Sequence, residues 1–208
     1  MHGSYTLLTD FTGQTAQFAV AIDGSIEFRW EVEAGLQVSA EFLPKLDREL
    51  RSRGISVGNL TELVTVSGPG SYTGLRVGIA SLLGLSAATK ALVSGFTIPE
   101  IFFGRKNVSD NAILVLPAPG RNRFFLFPRT WRNFKIVGVS EFNASEFANC
   151  EFFSWQNLSE GADFLGHVAN IEYDSLEALL EMQACARQNG TLIDRGVEPF
   201  YGTEFGSG

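Results

Sequence analysis

The sequence predicts an α/β fold, and three observations carry that prediction. A short β-branched run, Leu63-Val-Thr-Val66, is followed by a glycine-rich turn, Ser67-Gly-Pro-Gly-Ser71, and then by a stretch free of proline as far as Lys90. That succession reads as a buried strand, a tight turn and a helix of about five turns. Nearer the start, Asp23-Gly24 separates two strand-like runs, which is a two-residue hairpin signal. A further strand pattern, Leu92-Val-Ser-Gly-Phe96, follows the long helix, so strands and helices alternate.

Size and composition set the outer limits. A chain of 208 residues is one large domain or two of about 100, and it can bury a real core. With 45% apolar and 19% charged residues it has the balance of a globular protein. A net charge of −7 argues against a chain that grips nucleic acid by itself. No run reaches the roughly 18 apolar residues of a membrane span. The N-terminus lacks the basic and apolar regions of a signal peptide. Cys150 and Cys185 have no metal-ligand spacing, so buried free thiols in a cytoplasmic protein are expected.

In chain order, residues 5–10 read as a first strand ending on the carboxylate of Asp10. Residues 17–22 and 25–32 form the hairpin. Its second arm sets Ile26, Phe28, Trp30 and Val32 against Ser25, Glu27, Arg29 and Glu31, so one face is wet. Ser39 is placed as the cap of a helix running to about Arg53, with Phe42, Leu43, Leu46 and Leu50 at helical spacing. Pro44 should bend that helix and Gly54 should end it. Ser71 or Thr73 caps the helix after the glycine turn. Within this second helix Gly74, Gly78 and Ser81 share a ridge, with Gly84 and Ala88 beside it. Each helical glycine costs about 1 kcal/mol relative to alanine, so the ridge predicts close approach of another backbone. Leu75, Ile79, Leu82 and Leu83 form a broad apolar surface. A turn at a helix N-terminus is suited to anions, but this one matches neither the Walker loop nor the dinucleotide fingerprint, and a structural turn is the favoured reading.

The segment Gly68-Pro-Gly-Ser-Tyr-Thr-Gly-Leu-Arg-Val-Gly78 resembles, position for position, the G-P-G-S-F-T-G-(L/V)-R-(I/V)-G signature of the TsaB/YeaZ family, with Tyr72 in place of Phe. Its loop residues are Gly68, Pro69, Gly70, Ser71, Thr73, Gly74 and Arg76. The similarity covers most of residues 7–98 and returns at Pro199-Phe-Tyr201, which is similar to the family's C-terminal P-x-Y. The resemblance implies two RNase H-like units of the actin-like (ASKHA) group, the second smaller and degenerate, divided as 1–104 and 105–208. The first half has the element order of such a unit: three antiparallel strands, helix, strand, helix, strand.

The same resemblance implies a non-catalytic scaffold subunit of the cytoplasmic machinery that makes threonylcarbamoyladenosine in tRNA. Its partner would be the catalytic paralogue TsaD, with a TsaE-like ATPase in the assembled complex and tRNA met only there. No catalytic residue, metal or cofactor of its own is implied. The partner-binding residues would be Leu43, Leu46, Leu50, Gly74, Leu75, Gly78, Ile79, Leu82 and Leu83, on the helices at 39–53 and 71–90. Because one sheet face cannot cover so much leucine, the free chain is expected to form a homodimer there, which the paralogue displaces. Three positions depart from the family pattern. Asp10, at the place of an early phosphate-facing Asp, is followed by Phe11-Thr12-Gly13 rather than Thr-Ser-Thr. Val38 stands where a His is usual. Ala118 is flanked by Pro117 and Pro119 rather than by Asp and Arg.

In the second half, residues 112–116, 123–127 and 134–139 read as strands. Residues 175–188 read as a helix capped by Asp174 and ended by Gly190, with Leu176, Leu179, Leu180 and Ala184 as its apolar stripe. Charge is segregated. Arg105, Lys106, Arg121, Arg123, Arg129, Arg132 and Lys135 accompany one acid, Asp110, whereas residues 141–181 carry acids and no Lys or Arg. The two segments either pair with each other or leave a basic patch for tRNA phosphates. Candidates for chemistry are few: His2, His167 and Asp10, with no G-x-S-x-G elbow. The reading of a different class is an autonomous ATP-dependent phosphotransferase that uses Asp10 and the loop at 68–71.

Overall fold

A computed structural model describes residues 4–33, 36–104, 108–120, 122–155, 158, 162–191 and 197–202. His2, Arg105, Lys106 and Arg121 lie outside these. The chain divides into two units, Met1–Ile98 with Asp174–Gly208, and Pro99–Tyr173. The boundary expected at 104/105 therefore falls at 98/99, and the C-terminal segment returns to the first unit.

The first sheet comprises β1 (Tyr5–Asp10), β2 (Thr15–Ile22), β3 (Ser25–Glu33), β4 (Leu60–Val66) and β5 (Leu92–Phe96), in the order β3-β2-β1-β4-β5. The β2–β3 hairpin turns on Asp23 and Gly24, whose φ angles of 50° and 85° suit a tight primed turn. On β3 the odd and even residues separate as expected: Phe28, Trp30 and Val32 are buried, and Glu27, Arg29 and Glu31 are exposed. Lys45 donates to the Glu31 carbonyl at 2.8 Å, which blocks an acceptor on this edge strand. β1, β4 and β5 are mutually parallel and need crossover helices. These are α1 (Leu36–Arg51) and α2 (Tyr72–Thr89). Right-handed crossovers in the same direction place both on one face of the sheet.

The helix expected to be capped at Ser39 starts earlier, at Leu36. Its apolar stripe is Val38, Phe42, Leu46 and Leu50, all buried, so the stripe begins ahead of the proposed cap. α1 runs on through Pro44, which faces solvent, where water can take the carbonyl that proline leaves unbonded. α2 is capped by Ser71, whose hydroxyl accepts from the Gly74 N–H at 3.2 Å, and it stops at Lys90, with φ 62°.

In the second unit α3 (Ile98–Gly104) leads into β6 (Ala112–Pro117), β7 (Arg123–Phe127), β8 (Lys135–Gly138), β9 (Glu151–Ser154) and β10 (Val168–Asn170), ordered β10-β9-β6-β7-β8. With β6 set against β1, strand order and direction repeat those of the first sheet. Where the first sheet has α1 and α2, this one has the short 3-10 turns Ala144–Phe147 and Asp163–Leu165. One core is rich in phenylalanine: Phe124 and Phe152 pack with Ile113, Val115, Leu126 and Val137.

α4 (Ser175–Gln188) then packs on β1, β2 and β4 of the first sheet. Gln183 reaches Thr6 at 3.4 Å and Ser175 reaches Gln17 at 3.4 Å. Thr6 and Gln17 alternate with Leu7 and Phe18 of the α1/α2 side, so α4 covers the opposite face. This is why residues 174–208 group with the first unit. The buried stripe of α4 is Leu176, Leu179, Gln183 and Ala186; Ala184, expected in it, is exposed. Cys185, expected to be buried, is also exposed, and Cys150 is half-buried.

Ion pairs hold both ends of α4. Arg29 on β3 takes Asp174 and Glu177, the latter at 2.6 Å, and Arg187 pairs with Glu62 on β4. Asp174 also accepts from the N–H groups of Leu176 and Glu177, each at 3.0 Å. Burial pushes its carboxyl up, but these N–H groups and Arg29 outweigh burial and hold it below 3.8. A carboxyl lowered in the folded state stabilises the fold above its unfolded value and loses that contribution as pH falls through the folded one. Asp174→Ala should therefore cost about 1 kcal/mol in urea denaturation at neutral pH, with the difference from the parent closing below pH 3.8. An undiminished difference in strong acid would contradict this assignment.

Candidate functional site: the glycine turn and the outer helix face

The turn between β4 and α2 is fastened by its own chain. Ser67 N–H donates to the Phe96 carbonyl at 2.9 Å, Ile98 N–H to the Gly68 carbonyl at 2.7 Å, and Phe200 N–H to the Ser67 carbonyl at 2.7 Å. Ser71 N–H donates to the Thr12 carbonyl at 3.2 Å. The glycines are required by what lies against them. Gly68 has φ 121°, and a Cβ there would stand 2.1 Å from the Phe200 carbonyl oxygen. At Gly70 a Cβ would stand 2.5 Å from Thr12, at Gly74 2.6 Å from the Phe11 carbonyl, and at Gly78 2.2 Å from the Phe11 ring.

Phe11 fills the space this ridge leaves. It is 2% exposed and sits edge-on to Phe18 at 5.2 Å and to Phe42 at 5.5 Å. Close approach to the glycine ridge is thus real, but it comes from the β1–β2 turn and not from a partner. Asp10 is engaged locally: its carboxylate accepts from Thr12 N–H at 2.8 Å and from the Thr12 hydroxyl at 2.6 Å. Val38, one of the departures from the expected family pattern, is buried in the same core. Ala118 closes the β6–β7 hairpin through its N–H to the Arg123 carbonyl at 2.9 Å.

The residues expected at a partner surface separate into two groups. Leu46, Leu50, Leu75, Ile79 and Leu82 are core residues of the first unit, and Gly74 and Gly78 receive Phe11. On α2 the positions 75, 79 and 82 follow the i, i+4, i+7 stripe toward the sheet, so position 83 is turned about 100° away. Leu83 is 48% exposed and, for the same reason on α1, Leu43 is 42% exposed. Around them lie Ala80, Gly84 and Ala87 on α2, with Ala40, Glu41 and Pro44 on α1, all exposed. Sequence reasoning had placed Gly84 and Ala88 beside the glycine ridge but missed Ala40, Ala80 and Ala87 as part of this face. Their recurrence at 80, 84, 87 and 88, opposite the buried stripe, was the available signal.

At the start of α2, Tyr72 is 57% exposed and its ring packs at a tilt against Tyr201, with centroids 4.7 Å apart. Arg76 lies over the Tyr72 ring at 5.2 Å and donates to its hydroxyl. Thr73, offered as a cap, is exposed in the first turn. In the second unit Lys135 pairs with Glu146 at 2.6 Å and Arg129 with Asp110 at 3.4 Å, while Asp174 and Glu177 turn instead to Arg29. His167 is exposed. Among the described residues no helix is long and apolar enough to cross a membrane.

Two mixed five-stranded sheets with this repeated strand order define an α/β protein of the actin-like ATPase fold. A Bacteroides thetaiotaomicron protein with that fold matches with a TM-score of 0.50 at 12% identity, covering 86% of this chain and 96% of its own. The fold is closer still to YeaZ from Pseudomonas aeruginosa, with a TM-score of 0.67 at 16% identity over 95% of this chain and 99% of that one. A second Pseudomonas aeruginosa structure, of a protein with similarity to the peptidase YeaZ, gives 0.67 at 15% identity over the same shares. The chain is therefore YeaZ-like in fold, as its signature loop led one to expect. No protein-family model matches the sequence, and no curated protein matches it.

Proposed function

We propose that this chain is a non-catalytic docking subunit that pairs with the catalytic paralogue TsaD in forming threonylcarbamoyladenosine in tRNA. One observation carries the reading: the eleven-residue signature sits in a YeaZ-like fold that spans 95% of the chain, and the outward side of the signature helix is apolar. Ala80, Leu83, Gly84 and Ala87 offer a shallow surface with a leucine knob, joined by Leu43 of α1. Apolar patches of this kind suit a partner helix. The phosphate-facing features of a nucleotide enzyme are turned to other uses, since Asp10 holds Thr12 and the glycine turn holds Phe11, Thr12 and Phe200. The second unit, with short strands and 3-10 turns in place of crossover helices, is read as a degenerate copy of the first. tRNA and a TsaE-like ATPase would be met in the assembled cytoplasmic complex.

The test is binding to TsaD before and after Leu83→Glu and Leu43→Glu. Burying one leucine contributes roughly 1.5–3 kcal/mol, so either variant should weaken binding roughly tenfold or more. Both side chains are half exposed, so the melting temperature should stay within a few degrees of the parent. Unaltered binding by both folded variants would rule out the docking face.

A further inference from the structure

The glycine turn and Pro199-Phe-Tyr201, the two separate stretches that carry the family resemblance, meet in space as the halves of one clasp. Residues 197–202 cross the turn as a strap. Phe200 N–H donates to the Ser67 carbonyl at 2.7 Å, and the Phe200 carbonyl occupies the space where Gly68 has no Cβ. Val197, 8% exposed, sets a methyl against Gly95 of β5, where an added Cβ would stand 2.7 Å from it. Tyr201 lays its ring on Tyr72, the first residue of α2. Two bare glycines and one ring thus receive the strap. Of its six residues only Val197 and Gly202 are buried, so it lies on the surface and can lift without opening the core.

The strap ends on the outward side of α2. Tyr72, Arg76, Ala80, Leu83 and Ala87 follow one another at intervals of four and three, so they share one side of the helix, and all are exposed. Arg76 lies over the Tyr72 ring and donates to its hydroxyl. Tyr201, Tyr72 and Arg76 therefore form a chain of contacts from the strap to within one turn of Ala80. With the strap down, the Tyr72 ring is braced and Arg76 is fixed on it. With the strap lifted, both side chains regain their rotamers, and a partner settling on this side must order them as it binds. A partner of the outer face thus has a physical reason to prefer the closed strap.

We propose that residues 197–202 are a latch on the docking face: the partner binds the chain with its strap closed more tightly than with its strap open, and binding in turn holds the strap down. The inference rests on the reading of the α1/α2 face as a docking surface and adds its regulation. The coupling is reciprocal, so one factor governs both effects.

Hydrogen exchange of the Phe200 amide and titration with TsaD test it, on the full chain as parent, Tyr201→Ala, Gly95→Ala and Leu83→Glu. In the free chain Tyr201→Ala and Gly95→Ala should each speed exchange roughly tenfold, the first by removing the ring from Tyr72, the second by pushing Val197 off β5. Both should bind TsaD roughly fivefold or more weakly, and saturating TsaD should slow Phe200 exchange in the parent by a like factor. Gly95 meets Val197 and Ser67 and lies off the outward side of α2, so its effect reports the latch and not a lost partner contact. Unchanged circular dichroism checks that each variant folds. If Leu83→Glu weakens binding while Tyr201→Ala and Gly95→Ala exchange faster yet bind as the parent does, the docking face stands and the latch fails. Weakening by Tyr201→Ala alone would mean a direct contact and would overturn the latch as well, as would Phe200 exchange that neither variant alters. A parent that does not bind TsaD overturns the docking face and the latch together.

Discussion

Phe11→Ala is expected to destabilise the first unit by about 3–5 kcal/mol. The ring is the common neighbour of Phe18, Phe42 and Gly78, so its removal opens a cavity where the β1–β2 turn, α1 and α2 meet. Urea denaturation of a Trp131→Phe, Trp155→Phe background, in which fluorescence comes from Trp30 stacked on Phe18 at 5.3 Å, reads the loss directly. The converse change, Gly78→Ala, drives a methyl into the same ring and should cost about 1–3 kcal/mol. With Phe11→Leu in the background the methyl finds room, so the two costs should fall short of their sum. Strict additivity, or a loss below about 1 kcal/mol for Phe11→Ala, would mean that Phe11 does not fill the ridge.

Gly68→Ala is expected to cost about 2–4 kcal/mol. At φ 121° the backbone is one that residues with a Cβ rarely adopt, a strain of about 1–3 kcal/mol. The added methyl would also meet the Phe200 carbonyl, expelling the C-terminal strap and its hydrogen bond to Ser67, worth about 1 kcal/mol. The measurement pairs urea denaturation with limited proteolysis. The variant should be cut in the segment around Val197 and Phe200 under conditions where the parent resists. Equal protease resistance would show that the strap does not depend on Gly68.

Much of the first sheet was legible in the sequence because local chemistry determines it. Asp23-Gly24 makes a primed turn wherever it occurs between alternating strands, and Ser71 caps α2 where the turn chemistry says a cap belongs. The second sheet was half legible. β9 and β10 have four and three residues, too few for alternation to declare itself. The membership of α4 was not legible at all, because its partners Thr6, Gln17 and Glu62 lie more than a hundred residues away in the chain.

At the candidate site, the sequence showed that leucines exceeded one helix face, but which of them pointed outward depended on the phase of each helix against the sheet. A rotation of one residue separates buried Leu82 from exposed Leu83. The glycine ridge signalled a close approach, and Phe11 stood out as a departure from the family pattern. That the second explains the first is a matter of tertiary geometry.

The central claim is that the chain acts through a surface and performs no chemistry. The most direct measurement is tRNA modification by a complex reconstituted from TsaD, the TsaE-like ATPase and this chain in its Asp10→Asn, His167→Ala and Leu83→Glu forms. The account predicts that the first two retain activity within about twofold, well short of the roughly hundredfold loss expected for a general acid or base. Leu83→Glu should lose activity in step with binding and regain it at high chain concentration. A hundredfold loss on changing Asp10 or His167, with Leu83→Glu fully active, would contradict the account.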